Sequence, residues 1–93
     1  MNESVRHNPA RSRFELDLGG GEMAIAVYRP LGEGVIALTH TEVPWRGRQR
    51  GTGSRLVRGA LELVREQNLK VVARCSFVSD YLAKHPEFSD LVA

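Results

Sequence analysis

The stretch HTEVPWRGRQRGTGSR, residues 40–55, carries the strongest structural and functional signal in the chain. An apolar run typical of a strand precedes it, and an amphipathic helical pattern follows it. Between the two, glycines let the backbone approach a ligand, helix N-terminal amides point at it, and arginines add charge-assisted hydrogen bonds. The stretch therefore predicts an anion-binding turn between a strand and a helix. Its glycines and arginines are Gly47, Gly51, Gly53, Arg46, Arg48, Arg50 and Arg55.

The composition limits the class of protein. Ninety-three residues suffice for one small domain, and 42% hydrophobic with 26% charged residues gives no case for global disorder. A net charge of only +2 does not favour binding of nucleic acid over the whole surface. Cys75 is the single cysteine, which excludes an intramolecular disulfide and fits a reducing compartment. Without an apolar run of about 18 residues or a signal-peptide core, we expect a cytoplasmic protein that does not bind membranes.

The first half of the chain has the alternation of β-strands. Residues 1–12 show no periodicity and contain Pro9, which predicts a flexible N-terminal arm, mobile or loosely docked. Three segments typical of strands follow, of which the first alternates strictly, and the glycine-rich turns between them predict hairpins. The second segment is apolar on both faces, which predicts a strand covered on two sides. The predicted antiparallel meander has strands at 13–18, 22–29 and 35–43, with turns at 19–21 and 30–34.

The second half changes to a helical period. An apolar stripe after Gly53 predicts a helix that ends near Asn68, since asparagine tolerates the left-handed conformation. A β-branched run then predicts a buried fourth strand, and the right-handed crossover places it parallel to the third. Ser76 is expected to cap a short helix. The result is one α+β domain over residues 13–93. The apolar stripe consists of Leu56, Val57, Ala60, Leu61 and Val64. The predicted fourth strand spans 69–74, and the last two helical segments span 77–84 and 87–92.

Two familiar phosphate-binding motifs do not match the glycine-rich turn. A Walker loop requires Gly-Lys-Ser/Thr, which is absent, and a Rossmann fingerprint requires a third glycine where this chain has Leu56. Residues 48–53, RQRGTG, instead match R/Q-x-x-G-x-G/A, the acyl-CoA signature of the GCN5-related N-acetyltransferase (GNAT) superfamily. The chain also resembles the small, single-domain members of that superfamily in HTEVP (40–44), GTGSRLV (51–57), CSFV (75–78) and HPEF (85–88).

The resemblance implies a truncated GNAT fold that binds acetyl-CoA between two splayed parallel strands, here the strands ending near Val43 and Cys75. It also implies that two helices after the first strand and the last two strands of larger members are missing. Those parts usually build the acceptor pocket, so the acceptor stays open.

Physical chemistry assigns roles within this fold. The coenzyme diphosphate is expected on the amides at the start of the helix, where the helix dipole favours negative charge. Arg48 and Arg50 are candidates for the diphosphate or ribose phosphate, and the pantetheine arm is expected to pair with strand backbone from Thr41 to Val43. The alternative is that the glycines only shape a turn and the arginines are solvated. The predicted cofactor-binding residues are Thr41, Val43, Arg48, Gln49, Arg50, Gly51, Thr52, Gly53 and Ser54.

Three side chains are candidates for chemistry. Cys75 could attack the thioester and carry an acetyl group, or be a small core residue. His40 could approach Cys75 and act as general base or lower the cysteine pKa, or be a structural histidine beside the sheet. Glu42 is a second base candidate, acting directly or through water. His40, Cys75 and His85 show no paired spacing of metal ligands, such as C-x-x-C or H-x-x-x-H, so no metal site is expected.

The resemblance implies an acetyl-CoA-dependent acetyltransferase of minimal size, acting on an amine of a protein or small molecule, as a monomer or weak dimer. A non-catalytic CoA-binding or accessory protein is the alternative, since the acceptor-site elements are missing. A nucleic-acid-binding module using the arginines is disfavoured, because few exposed aromatic residues are interleaved for base stacking.

Overall fold

The structure is a computed structural model that describes residues 5–45 and 51–93. Five strands form one sheet in the order of the chain, and β1 to β4 pair antiparallel while β4 and β5 pair parallel. This confirms the α+β class, the meander and the parallel last strand. The elements are β1 Val5–Asn8, β2 Arg13–Gly19, β3 Glu22–Gly32, β4 Val35–Glu42, α1 Thr52–Glu66, β5 Lys70–Ala73 and α2 Ser76–Lys84, with 3-10 helices Pro9–Arg11 and Pro86–Leu91.

Glycines and one asparagine form the turns that the sequence predicts. Gly19, Gly20 and Gly21 all have positive φ, as the β2–β3 turn requires. Asn68 has φ +59° and ends the connection from α1, as expected. The β3–β4 hairpin is tighter than predicted, because β3 continues through Pro30, which lies opposite Ile36, to Gly32.

The prediction of a loosely docked arm is wrong for residues 5–8. These residues form edge strand β1, in register with β2 from Val5 opposite Leu16 to Asn8 opposite Arg13. Val5 is buried, and His7 stacks on Phe14 with ring centroids 4.7 Å apart. The His7 Nε2 also lies 2.6 Å from the Tyr28 hydroxyl. Side-chain packing and ladder hydrogen bonds together hold the strand.

One face of the sheet carries the core. The predicted apolar stripe of α1 is fully buried there, and α2 and the C-terminal 3-10 helix close the core beside it. In β3 the side chains of Ala24, Ala26 and Tyr28 point into this core. The described residues do not show the predicted cover on both sides of β3. The helices α1 and α2 and the C-terminal 3-10 helix all lie on one face of the sheet. Within residues 5–45 and 51–93, the other face has no helix packed on it.

Candidate functional site

Strands β4 and β5 run side by side and then diverge. Their pairing extends from Val35 opposite Lys70 to Leu38 opposite Ala73, and the Arg74 N–H donates to the Leu38 carbonyl at 2.9 Å. Beyond this point, among the strands described, β4 is paired with β3 only. A backbone edge of β4 therefore faces a gap between the carboxyl ends of two parallel strands.

A β-bulge in β4 lies at the point of divergence. Val27 pairs with His40 and Tyr28 pairs with Leu38, so Thr39 is an extra residue in β4. An inserted residue of this kind bends its strand and strengthens the local twist. The pairing of β4 with β5 ends at Leu38, the residue before the bulge, so the two strands diverge where β4 is expected to bend.

The N-terminus of α1 lies at the same gap. Gly51 is the N-cap residue with φ +67°, and the Arg55 N–H makes the first helical bond to its carbonyl at 3.1 Å. The amides of Thr52, Gly53 and Ser54 precede that bond and have no acceptor within the helix. Gly51 has no side chain to accept from them, and the first turn contains no acidic residue. This end of α1 is suited to an external anion.

A cleft of about 750 Å³ joins the strand gap to the helix N-terminus. Successive side chains of a strand point to opposite faces, so both faces of β4 contribute to its walls. The cleft therefore passes the end of β4 and opens toward both sides of the sheet. Its lining residues are Met23, His40, Thr41, Glu42, Val43, Pro44, Gly51, Gly53, Ser54 and Phe77.

Phe77 packs on the glycine-rich turn. A Cβ placed on Gly53 would lie 2.7 Å from the Phe77 Cζ, closer than van der Waals contact permits. Glycine is thus required for the aromatic ring to lie against the first turn of α1. Phe77 is nevertheless 41% exposed, because its other side faces the cleft.

Cys75 lies where β5 passes into α2. It occupies the N-cap position that the sequence assigned to Ser76, and its Sγ lies 3.7 Å from the Thr41 Oγ1 across the gap. Burial opposes ionisation of the thiol, but the backbone N–H groups of Val78 and Phe77 and the Thr41 hydroxyl outweigh it, so the pKa of Cys75 is lowered. The thiol packs against the edge of the core and contacts Thr41, which lines the cleft.

His40 and Glu42 form a pair on the opposite face of β4. The His40 Nε2 lies 3.1 Å from the Glu42 Oε2, and both side chains are exposed. Since residues alternate along the strand, His40 and Thr41 point to opposite faces. The structure therefore places Thr41, not His40, against the Cys75 thiol, while His40 and Glu42 line the outer mouth of the same cleft.

Comparison with known proteins identifies the fold and its family. The family profile described as GCN5-related N-acetyl-transferase matches residues 13–91. The chain belongs to the GCN5-related N-acetyltransferase family. Protein NATD1 of Mus musculus is 34% identical over 83 residues, which cover 88% of this chain and 76% of that protein. Protein NATD1 of Homo sapiens is also 34% identical, over 88% of this chain and 74% of its own length.

A solved structure of this family has the same fold. The NMR solution structure of a GCN5-like protein from Staphylococcus aureus is 28% identical, with a TM-score of 0.73. The match covers 99% of this chain and 89% of that one. The strand and helix order described above is therefore that of a small GNAT domain.

The structure brings together most of the residues expected to form the site. Thr41, Val43, Gly51, Gly53 and Ser54 line one cleft, and Thr52 begins α1 beside them. Arg48, Gln49 and Arg50 lie outside the described residues. Sequence reasoning missed Met23, Pro44 and Phe77 as cleft residues.

Two further classes of site find no support in the described ranges 5–45 and 51–93. No group of three or more histidine, cysteine or acidic side chains there is placed to hold a metal ion. Nor does any helix in these ranges have the length and apolar character needed to cross a membrane.

Proposed function

We propose that this GNAT domain transfers an acetyl group from acetyl-CoA to an amine. One observation carries the proposal: a single cleft joins an anion-accepting helix N-terminus to the backbone edge of a strand that has separated from its parallel neighbour. The first feature suits a diphosphate and the second suits the amide groups of a pantetheine arm.

Acetyl-CoA is proposed to bind with its diphosphate on the amides of Gly51, Thr52, Gly53 and Ser54. Arg48, Gln49 and Arg50 precede these amides in the chain and are proposed to contribute, the two arginines by charge-assisted hydrogen bonds to phosphate oxygens. The pantetheine amides are proposed to pair with the backbone from Thr41 to Val43, along the side of β4 that faces the gap, in the manner of an added strand. This arrangement leads the thioester toward the Cys75 side of the gap.

Cys75 is proposed to carry the acetyl group. Its thiolate attacks the thioester carbonyl carbon, a new carbon–sulfur bond forms, and the bond to the coenzyme sulfur breaks. CoA leaves as a thiolate and takes up a proton. An amine nitrogen then attacks the acetyl-cysteine carbonyl, loses its proton, and releases the Cys75 thiolate with an N-acetyl product. A lowered thiol pKa favours the first step, because the thiolate is the nucleophile.

His40 and Glu42 are proposed to take the amine proton. They lie at the outer mouth of the cleft, and a hydrogen-bonded imidazole and carboxylate form a suitable base for an incoming ammonium group. The base therefore deprotonates the ammonium group as it enters at the outer mouth, and the free amine then passes the end of β4 within the same cleft to reach the acetyl group on Cys75.

The test is an assay of coenzyme thiol release and N-acetyl product with acetyl-CoA and a panel of primary amines. We expect product with at least one amine, and a loss of about 100-fold in kcat for Glu42→Gln with unchanged CoA affinity. No helix of residues 5–45 and 51–93 packs on the sheet face beside this mouth, so that part of the chain does not enclose an acceptor there. This favours a second candidate, an accessory CoA-binding protein. Binding of acetyl-CoA without turnover on any amine would support that candidate and contradict the transferase.

A further inference from the structure

The outer face of β3 is apolar, although no helix of the described chain packs on it. Met23, Ile25 and Val27 alternate with the buried residues of β3 and belong to no part of the core. Met23 is 39% exposed, and the other two are half-buried. A sheet with one solvated face normally has polar residues there. We call Met23, Ile25 and Val27 the outer β3 stripe.

The outer β3 stripe leads directly to the proposed reaction centre. Met23 forms part of the cleft wall. Ile25 lies opposite Glu42 in the β3–β4 pairing, and Val27 lies opposite His40. A molecule bound along the stripe therefore lies beside the proposed base for its whole length, with one end at the cleft mouth.

Negative charge is concentrated at the cleft end of the outer β3 stripe. Asp17 pairs with Met23 from the β2 side, and Glu42 pairs with Ile25 from the β4 side. The other end is basic, because the exposed Arg29 continues the same face of β3, while Arg13 beside it is paired with Glu15 at 2.7 Å. An apolar surface between two carboxylates is complementary to an ammonium group on an alkyl stem, which is the chemistry of a lysine side chain.

We propose that the outer β3 stripe is the docking track for an extended polypeptide, whose lysine amine enters the cleft at Met23. The proposal rests on the proposed function and names the class of its acceptor. Small molecules are bound in concave sites that enclose most of their surface, and a flat strand face does not do this. A polypeptide can instead spread its contacts over the stripe.

The spacing of the stripe sets the sequence that it accepts. Side chains two residues apart on an extended strand share one face and lie roughly 6.7 Å apart. A lysine at Met23 therefore places the residues two and four positions away over Ile25 and Val27. Apolar residues at those positions are preferred, whereas apolar residues one and three positions away point into solvent.

The experiment compares two peptides of identical composition with acetyl-CoA as donor. One has valine two and four positions on each side of a central lysine, and the other has the same valines one and three positions away. We expect kcat/KM to be roughly tenfold higher for the first. Val27→Thr keeps a β-branched residue but removes an apolar contact, and should reduce this preference. Val72→Thr, on the same sheet face in β5 but off the stripe, should retain it. Butylamine should react equally with all three proteins.

Every other outcome contradicts the docking track, and the results below distinguish its failure from failure of the proposed transferase. Equal rates for the two peptides, with butylamine acetylated, would overturn the track and leave the transferase intact. No acetylation of any amine would overturn both. A wild-type dimer in sedimentation equilibrium that Val27→Thr, but not Val72→Thr, converts to monomer would assign the stripe to a second copy of this chain instead.

Discussion

Ser54→Glu is expected to weaken acetyl-CoA binding about 100-fold, because it places a carboxylate where the proposed diphosphate meets the first turn of α1. Ser54 is exposed and lines the cleft, so the new side chain need not disturb the core. A negative charge at a helix N-terminus stabilises the helix itself. Lost affinity would therefore report on the ligand and not on unfolding. Isothermal titration calorimetry with acetyl-CoA measures the change.

The matched control for this variant is Ser89→Glu. Ser89 is an exposed serine of the C-terminal 3-10 helix and is not part of the cleft wall. Its substitution adds the same charge and should leave the affinity for acetyl-CoA unchanged. Equal affinities for the wild type and Ser54→Glu would show that the diphosphate does not lie at α1.

Cys75→Ser is expected to lower kcat/KM for acetyl transfer by at least about 100-fold, because an alcohol at this position is not ionised near neutral pH. The variant should still bind acetyl-CoA, since the amides of α1 and the edge of β4 are unchanged. Intact-protein mass spectrometry of the wild type with acetyl-CoA alone should show one acetyl adduct, absent from Cys75→Ser. A full transfer rate in Cys75→Ser would exclude the covalent route and leave direct transfer with His40 and Glu42.

The pH dependence of thiol alkylation gives independent evidence on Cys75. Its pKa is lowered because the Val78 and Phe77 amides and Thr41 outweigh the effect of burial. The thiolate is thus retained to lower pH than in free cysteine, and the rate with iodoacetamide should fall at a correspondingly lower pH. Thr41→Val removes one stabilising contact and should shift that profile upward. A profile matching free cysteine would contradict the stated role of the amides.

Local signals in the sequence predict much of the fold. The apolar period of α1, the alternation in β2, and the left-handed Asn68 are each set by residues within one turn or strand. They are therefore readable without knowledge of the distant contacts. The glycine-rich turn also predicted Gly51 and Gly53 as cofactor-binding residues, and both line the cleft.

What the sequence did not predict depends on distant contacts. Strand β1 spans four residues, and its stability comes from packing against β2 and α1 and from the contact of His7 with Tyr28 of β3, rather than from its own pattern. The extra residue Thr39 leaves no local trace, because a bulge is a property of pairing between two strands. Phe77 on Gly53 likewise joins residues from different elements.

The outer face of β3 differs from what its sequence predicts. Apolar residues on both faces of β3 predicted a strand covered on two sides, and the described chain covers the inner side. The outer β3 stripe therefore has a sequence suited to burial and a position suited to contact with an acceptor. A polypeptide acceptor bound along the outer β3 stripe, as proposed above, would cover this second face of β3.

The most direct test of the account is a titration of isotopically labelled protein with acetyl-CoA, followed by amide chemical shifts. We expect the largest changes on residues 51–54 at the start of α1 and on residues 41–43 at the end of β4 that faces the gap. Changes of this kind would place the diphosphate and pantetheine in the cleft between the separated strands. Saturating acetyl-CoA that leaves both segments unchanged, or shifts mainly the far end of the sheet, would contradict it.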